Sequence, residues 1–310
     1  MPPAPLCPIT RRPAFRHVQW ISTRFLADLW RYGGRVDVAD LLRPAGPRLG
    51  LWESPTGLMF FDPPIAGDAA FYQRFYEHLG AHEKLTGPKT VRREFQMAAA
   101  QVLPGDRILD VGCGLGGFRA YVPEAGYTGI DPHFGGHDPN GAVLAVGVEE
   151  HAAQCGPVYD VVCAFQVIEH VPDPLGFVRA MVACLRPGGR LILGVPFWPS
   201  PNTTIPNFII NAPPHHLTWW SKGSLEALAR ELGLEPDHVR PVEMSRHEAL
   251  IYWMAKVTPI RCSKLFFAPK VSWHVALAVS YAIARAIYAV CPLPSRTGPN
   301  ALLLVARKGG

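Results

Sequence analysis

No C-x-x-C pair occurs among the seven cysteines of this 310-residue chain: Cys7, Cys113, Cys155, Cys163, Cys184, Cys262 and Cys291. An odd number without that pairing argues against a thiolate zinc site and a disulfide frame, and for a reducing compartment. No run of five like charges is present, so nothing marks a nucleic-acid-binding arm. Aromatic residues do not interleave with basic ones as a single-strand binder requires. Met1 to Arg12 holds no apolar segment of the kind a secretory leader needs. The first 27 residues also lack acids and carry Arg11, Arg12, Arg16 and Arg24, a faint likeness to an organellar transit peptide. The plainer expectation is a cytoplasmic protein. No internal repeat is visible.

What is present is a foldable chain. It is 48% hydrophobic and 18% charged, enough apolar content for a sizeable core. The net charge of +5 is spread over the chain, with 23 Arg against 7 Lys. Proline reaches 32, about twice its usual share, which predicts stiff, irregular loops.

The pattern divides the chain at about residue 87. Residues 1–87 read as irregular, broken by Arg43-Pro44-Ala45-Gly46-Pro47 and Asp62-Pro63-Pro64, with a helix over Asp68 to Leu79. Residues 88–310 read as regular. A helix over Thr90 to Leu103 precedes β-like runs at Arg107 to Val111, Tyr127 to Ile130, Val143 to Val146, Tyr159 to Phe165 and Arg190 to Val195. Helical runs, including Phe118 to Val122 and Pro174 to Leu185, separate them. That alternation predicts an α/β, Rossmann-like, doubly wound and mostly parallel sheet. Ser221 caps a helix that Gly233 ends. A strand within Val239 to Val257 and an antiparallel final strand at Ala301 to Arg307 enclose a helical insertion, residues 258–298.

Chemistry concentrates in Ile108-Leu109-Asp110-Val111-Gly112-Cys113-Gly114-Leu115-Gly116-Gly117, at the end of the first strand. Glycines let the backbone turn sharply and approach a ligand closely, and a following helix offers unpaired N–H groups. Asp131 closes the next apolar strand about 20 residues on, where an acid can accept hydrogen bonds from ribose hydroxyls. Gly112, Gly114 and Gly117 alone also satisfy the fingerprint of a nicotinamide-dependent oxidoreductase. Asp110 favours another ligand, because a carboxylate there attracts an ammonium and repels a pyrophosphate. A silent cofactor-binding module is the third reading; the intact Asp110, Gly112, Gly114 and Asp131 weigh against it.

Four segments in order resemble the class I S-adenosylmethionine-dependent methyltransferases, in the small-molecule subgroup that includes the ubiquinone-biosynthesis O-methyltransferases. They are Asp110 to Gly116, Tyr127 to Asp131, Tyr159 to Val171 and Leu185 to Leu191. The resemblance implies an enzyme that moves a methyl group from S-adenosyl-L-methionine to a small acceptor: a sugar, a phenol or quinone-like ring, or a lipid-linked precursor. It implies that Asp110, Gly112, Cys113, Gly114, Gly116, Asp131, Glu149 and Gln166 line the cofactor, with Glu149 or its neighbour Glu150 bordering the adenine and Val148 packed on it. Cys113 then fills space, since a sulfonium methyl needs no covalent enzyme intermediate. Glu169 and His170 border the methionine end.

Asn211 to Trp220 follows the fifth strand, and its Pro213-Pro214-His215-His216 resembles related methyltransferases. His216 and His215 are the candidate catalytic residues, as base or acceptor ligand. Asp62-Pro63-Pro64-Ile65 only imitates the acid-Pro-Pro-aromatic motif of amino-methylating enzymes, since its fourth residue is not aromatic and it precedes the cofactor fold. The N-terminal region resembles relatives that carry a cysteine zinc ribbon, but only Cys7-Pro8 of that pattern remains, so no metal is expected there. Val271 to Cys291 is long enough to span a membrane, yet Arg285 in mid-span is costly. An amphipathic lid or core helix is expected, with peripheral membrane contact as a variant. Nothing in the pattern specifies an oligomer.

Overall fold

The computed structural model describes residues 3–79, 92–136, 138, 141–291, 293–294 and 296–310. The division at residue 87 and the expected helix start at Thr90 lie outside them. The strands are β1 (Arg16–Ser22), β2 (Arg48–Glu53), β3 (Met59–Asp62), β4 (Arg107–Val111), β5 (Gly126–Ile130), β6 (Val143–Leu144), β7 (Tyr159–Phe165), β8 (Leu185–Pro196), β9 (Thr218–Trp219), β10 (Leu234–Glu243) and β11 (Pro299–Lys308). The α-helices are α1 (Thr23–Leu29), α2 (Ala39–Leu42), α3 (Ala69–Leu79), α4 (Arg93–Ala99), α5 (Val148–Cys155), α6 (Pro174–Cys184), α7 (Lys222–Glu231), α8 (Ala249–Val257) and α9 (Val271–Val290).

Seven strands form the main sheet in the order β10-β11-β8-β7-β4-β5-β6. Neighbours from β8 to β6 are parallel, and β11 runs antiparallel to both β8 and β10. This is the expected doubly wound sheet with an antiparallel last strand. Every residue of β7 is buried, as a central parallel strand covered on both faces requires. Val162, Leu191 and Leu193 meet Val178 and Met181 of α6 and Leu225 and Leu228 of α7 on one face. On the other, Val161, Cys163 and Ile192 meet Phe95 and Ala98 of α4. Asp160 anchors the entry to β7: its carboxylate accepts the Arg107 N–H at 2.7 Å and pairs with Arg186 at 2.5 Å.

Three local expectations need correction. The segment after the glycine loop is a single 3₁₀ stretch, Gly117–Tyr121, because Pro123 leaves no room for an α-helix. It offers fewer aligned N–H groups than expected. Arg186 to Gly189 lies within the long strand β8 rather than preceding it; Gly188 at φ +74° accommodates the register shift. Residues 3–79 are not irregular. β1, β2 and β3 form an antiparallel sheet in which Leu49, Leu51, Met59 and Phe61 bury one face.

That sheet is completed from the far side of the chain, since β9 pairs with β3 through Met59↔Trp219 and Phe60↔Thr218. Its core joins Trp30, Phe71, Phe75, Ala212, Phe266 and Phe267. Gln19 accepts the Phe266 N–H at 2.9 Å, and the Asn207 side chain brackets both backbone groups of Ala268, at 2.8 and 3.0 Å.

The strand expected within Val239 to Val257 ends at Glu243; Ala249–Val257 is helix α8, and it pairs with α9 of the insertion. α9 packs on α8 through Leu277 and Ala284 against Met254, Ala255 and Ile205, while Trp273 joins the aromatic core. Trp273, Ser280 and Ala284 are its buried residues. The valine stripe of α9 faces outward, with Val271 77%, Val275 57% and Val279 53% exposed. Small residues at 280 and 284 let the two backbones approach, so packing selects that side.

Trp30 is fully buried, and its indole N–H donates to the Pro213 carbonyl at 2.8 Å. Trp30→Phe keeps most of the ring volume and orphans that carbonyl. Urea unfolding should report a loss of about 1–3 kcal/mol, the usual cost of an unpaired buried acceptor.

Candidate active site

The carboxyl ends of β4, β5 and β7 bring two polar clusters to one edge of the sheet, where open α/β folds place ligands. In the first, Asp110 is 3% exposed. Its Oδ2 accepts the Tyr127 hydroxyl at 2.7 Å, and its Oδ1 accepts the Cys163 thiol at 3.7 Å. Burial pushes the Asp110 carboxyl up to about 7, against the pull of those two hydrogen bonds. Asp131 accepts the Gly114 N–H at 3.0 Å and the His133 N–H at 2.8 Å. The carboxylate therefore shapes the glycine loop directly.

Gly112 and Gly114 both have positive φ, +68° and +55°. A Cβ on Gly112 would stand 2.6 Å from Val167 Cγ2, so that glycine is required by the loop after β7. A Cβ on Gly114 would meet nothing within 4 Å; its outer face is open. Gly116 opens the 3₁₀ stretch. Burial raises the Cys113 thiol, so it is not a thiolate nucleophile. Glu149 is exposed in the first turn of α5. Val148 packs in the core with Ile130 and Leu109, so it does not present a free face to an adenine.

Gln166 holds φ +59°, donates its N–H to Gly194 at 2.8 Å and its side-chain amide to Glu94 at 2.9 Å. Glu94 also pairs with Arg92. Glu94 and Tyr127 were missed in the sequence. Glu94 gives no local signal, because its partner Gln166 is 72 residues away. Tyr127 stands within a quoted motif, but its hydroxyl's partner is visible only once β4 and β5 align.

The second cluster begins three residues beyond Val167. His170 Nδ1 donates to the His215 carbonyl at 2.7 Å, and His215 Nδ1 donates to the Ile210 carbonyl at 2.9 Å. Ring centroids lie 4.5 Å apart for His170–His215, 5.0 Å for His170–His216 and 4.5 Å for His215–His216. Burial lowers all three imidazoles, His170 to about 4 and His215 and His216 well below the ordinary range. They are neutral at physiological pH. Backbone bonds tie the loops: Leu217 N–H donates to the Glu169 carbonyl at 2.7 Å, and Phe61 N–H to the Leu217 carbonyl at 3.0 Å. Glu169 is fully buried, and neither carboxylate oxygen has a hydrogen-bond partner. Burial pushes its carboxyl up to about 8.

With this geometry in place, comparison with known proteins gives the class. A methyltransferase-domain profile matches residues 80–239, just over half of the chain, which therefore belongs to the methyltransferase-domain family. Within it the chain is similar to ubiquinone biosynthesis O-methyltransferases and is a class I, S-adenosylmethionine-dependent methyltransferase by sequence. It is 35% identical over 144 residues to that enzyme of Aeromonas salmonicida, covering 42% of this chain and 59% of the relative. It is 32% identical over 200 residues to that of Bordetella avium, covering 56% and 81%. The chain thus spans somewhat over half the length of the first of these relatives. Similar solved structures include a SAM-dependent methyltransferase from Archaeoglobus fulgidus, at 19% identity and TM-score 0.44, covering 74% of this chain and 99% of that one. Another is the Burkholderia thailandensis 1,6-didemethyltoxoflavin-N1-methyltransferase with bound S-adenosylhomocysteine, at 16% identity and TM-score 0.47, covering 84% and 96%. These two likenesses are too loose to add to the sequence evidence.

Glu169 sets a pH dependence. Its folded-state carboxyl sits above the ordinary value of 4.5, near 8. Its contribution to stability is therefore whole below pH 4.5 and is lost as pH rises to about 8. The lowered histidines act in the opposite sense below pH 6.5, so the comparison belongs above it. Between pH 6.5 and 8.5 the wild type should lose unfolding free energy relative to Glu169→Gln; parallel pH curves for the two would refute the assignment.

Proposed function

We propose that this chain transfers the methyl group of S-adenosylmethionine to a small-molecule acceptor: a phenol- or quinone-like ring, a sugar or a lipid-linked precursor. The observation that carries the reading is the open face of Gly114 between two strand-end carboxylates. The residues fit the cofactor. Asp110, whose carboxyl burial raises to about 7, becomes a full carboxylate once an ammonium stands beside it. Asp131 keeps lone pairs for ribose hydroxyls beyond the two N–H groups it accepts. Gly112, Gly114 and Gly116 keep the loop free of side chains, with Cys113 as filler, and Gln166 is fixed by Glu94 at the edge of β7. Glu149 is the group nearest in sequence for the adenine side.

When bound, the cofactor supplies an already activated sulfonium methyl. The chain's part is to align the acceptor and exclude water, which is worth about 7–11 kcal/mol in favourable cases. His215 and His216 belong to the acceptor side in this reading. Their lowered basicity makes them neutral hydrogen-bonding groups more than strong bases. The nicotinamide reading has no comparable support, since Asp110 would repel a pyrophosphate.

The apolar stripe of α9 supports membrane-surface contact. The helix is long and apolar enough to cross a membrane and only 17% buried. No Asp or Glu follows Glu248, while Lys264, Lys270 and Arg285 lie exposed on and around α9. That charge balance suits an anionic bilayer surface on which an apolar acceptor resides.

Two measurements test the proposal. By calorimetry, Asp131→Ala should weaken S-adenosylmethionine by about 1–3 kcal/mol, and Gly114→Val should abolish binding with the far-UV spectrum unchanged. Normal isotherms for both, or binding of a nicotinamide dinucleotide in its place, would overturn the reading. In sedimentation assays the chain should follow vesicles containing phosphatidylglycerol, less so at high salt, and Val275→Asp should release it. Equal recovery in the supernatant with anionic and zwitterionic vesicles would remove the membrane component.

A further inference from the structure

A backbone carbonyl only accepts, so Nδ1 carries the proton in His170 and His215. His215 Nε2 is left with a lone pair; the His170 ring also faces the Gln166 carbonyl, a contact that a metal ion on that ring displaces. Metal-ligating histidines show this habit: the non-ligating ring N–H donates to a carbonyl or carboxylate, which fixes tautomer and ring orientation. One ligand-capable nitrogen from each of His170, His215 and His216 lies within 4.8 Å of the other two. Zinc–imidazole bonds of about 2.0–2.1 Å need nitrogens about 3.4 Å apart in a tetrahedral set, so the three side chains must draw in by about an ångström.

The independent observation is Glu169. It is 0% exposed, its two oxygens have no hydrogen-bond partner, and Oε1 stands 3.6 Å from His170 Nε2. A buried carboxylate with nothing to bind is expensive in either protonation state. A cation held by the adjacent imidazoles would turn that cost into an attraction. The backbone is built for the cluster as well: the His215 and His216 N–H groups both bond the Ala212 carbonyl, at 3.0 and 3.2 Å. Cys113 and Cys163 lie in the Asp110 cluster and make no part of it.

We propose that His170, His215 and His216 form a three-imidazole site for one divalent transition-metal ion, with Glu169 as its buried counter-charge. Neutral nitrogen ligands suit zinc, ferrous iron or cobalt rather than magnesium or calcium. Three protein ligands leave a position open to a further oxygen ligand. His170 is 17% exposed at its side chain and gives the ion its way in from the surface. The existence of the site does not depend on the methyl-transfer reading.

The test uses the full chain, stripped with a chelator and titrated with Co²⁺. One equivalent should bind, with the visible d–d bands of low-coordinate cobalt and no sulfur charge-transfer band. Glu169→Gln should weaken binding by about 10–100-fold, the usual effect of losing an outer partner. His170→Asn and His216→Asn should weaken it further. S-adenosylhomocysteine titrations of the wild type, stripped and Co²⁺-loaded, should agree, which separates failure of the metal site from failure of the methyltransferase reading. X-ray absorption of the zinc-loaded wild type, which needs no variant to fold, should show nitrogen neighbours at about 2.0–2.1 Å. Absence of saturable Co²⁺ binding, unaltered binding in both histidine variants, or a sulfur shell around zinc would each overturn the proposal.

Discussion

The hydrogen bond from the Trp30 indole to the Pro213 carbonyl joins two parts of the chain 183 residues apart. Around it the rings of Phe71, Phe75 and His215 close at centroid distances of 5.1, 5.4 and 6.4 Å from Trp30. The N-terminal sheet is therefore the apolar wall against which the His215–His216 loop is formed. That wall desolvates the histidines and keeps them neutral. It also explains why the loop can be buried at all, since its backbone groups find partners in Glu169, Phe61 and Gly67 rather than in water.

The two polar clusters are mechanically continuous. Val167 packs on Gly112, and the His170 N–H bonds the Val167 carbonyl at 3.0 Å. One short loop after β7 thus touches the glycine turn with one residue and the histidine cluster with another. Any shift of Gln166, itself in a left-handed conformation, would move both ends. Glu94 restrains it through the amide bond, which gives the exposed-looking helix α4 a part in site geometry that its sequence does not advertise.

The main sheet was legible because its central strands are local apolar runs closed by turn signals, and Asp110, Gly114 and Asp131 fall at the ends of such runs; β10, mostly polar, carries no such run. The N-terminal sheet was not. Its strands are short, β1 carries an irregular register between His17 and Gln19, and the fourth strand is only two residues long and belongs to a distant loop. Glu94 and Tyr127 escaped for the same reason: their roles depend on which strands become neighbours. The orientation of α9 escaped because both its faces are apolar, and small residues decided the packing.

The pairing of β3 with β9 has a bearing on how the chain is made. β3 ends at Asp62, while its partner begins at Thr218. At about 5–20 residues per second, the ribosome delivers the closing strand roughly 8–30 s after β3 has emerged. Throughout that interval the nascent sheet offers an open edge bearing Phe60 and Phe61, the sort of edge that recruits other chains. Cells producing this protein from truncated messages should accumulate material that needs holding by chaperones, whereas complete chains bury the edge as synthesis passes the Trp219–Trp220 pair.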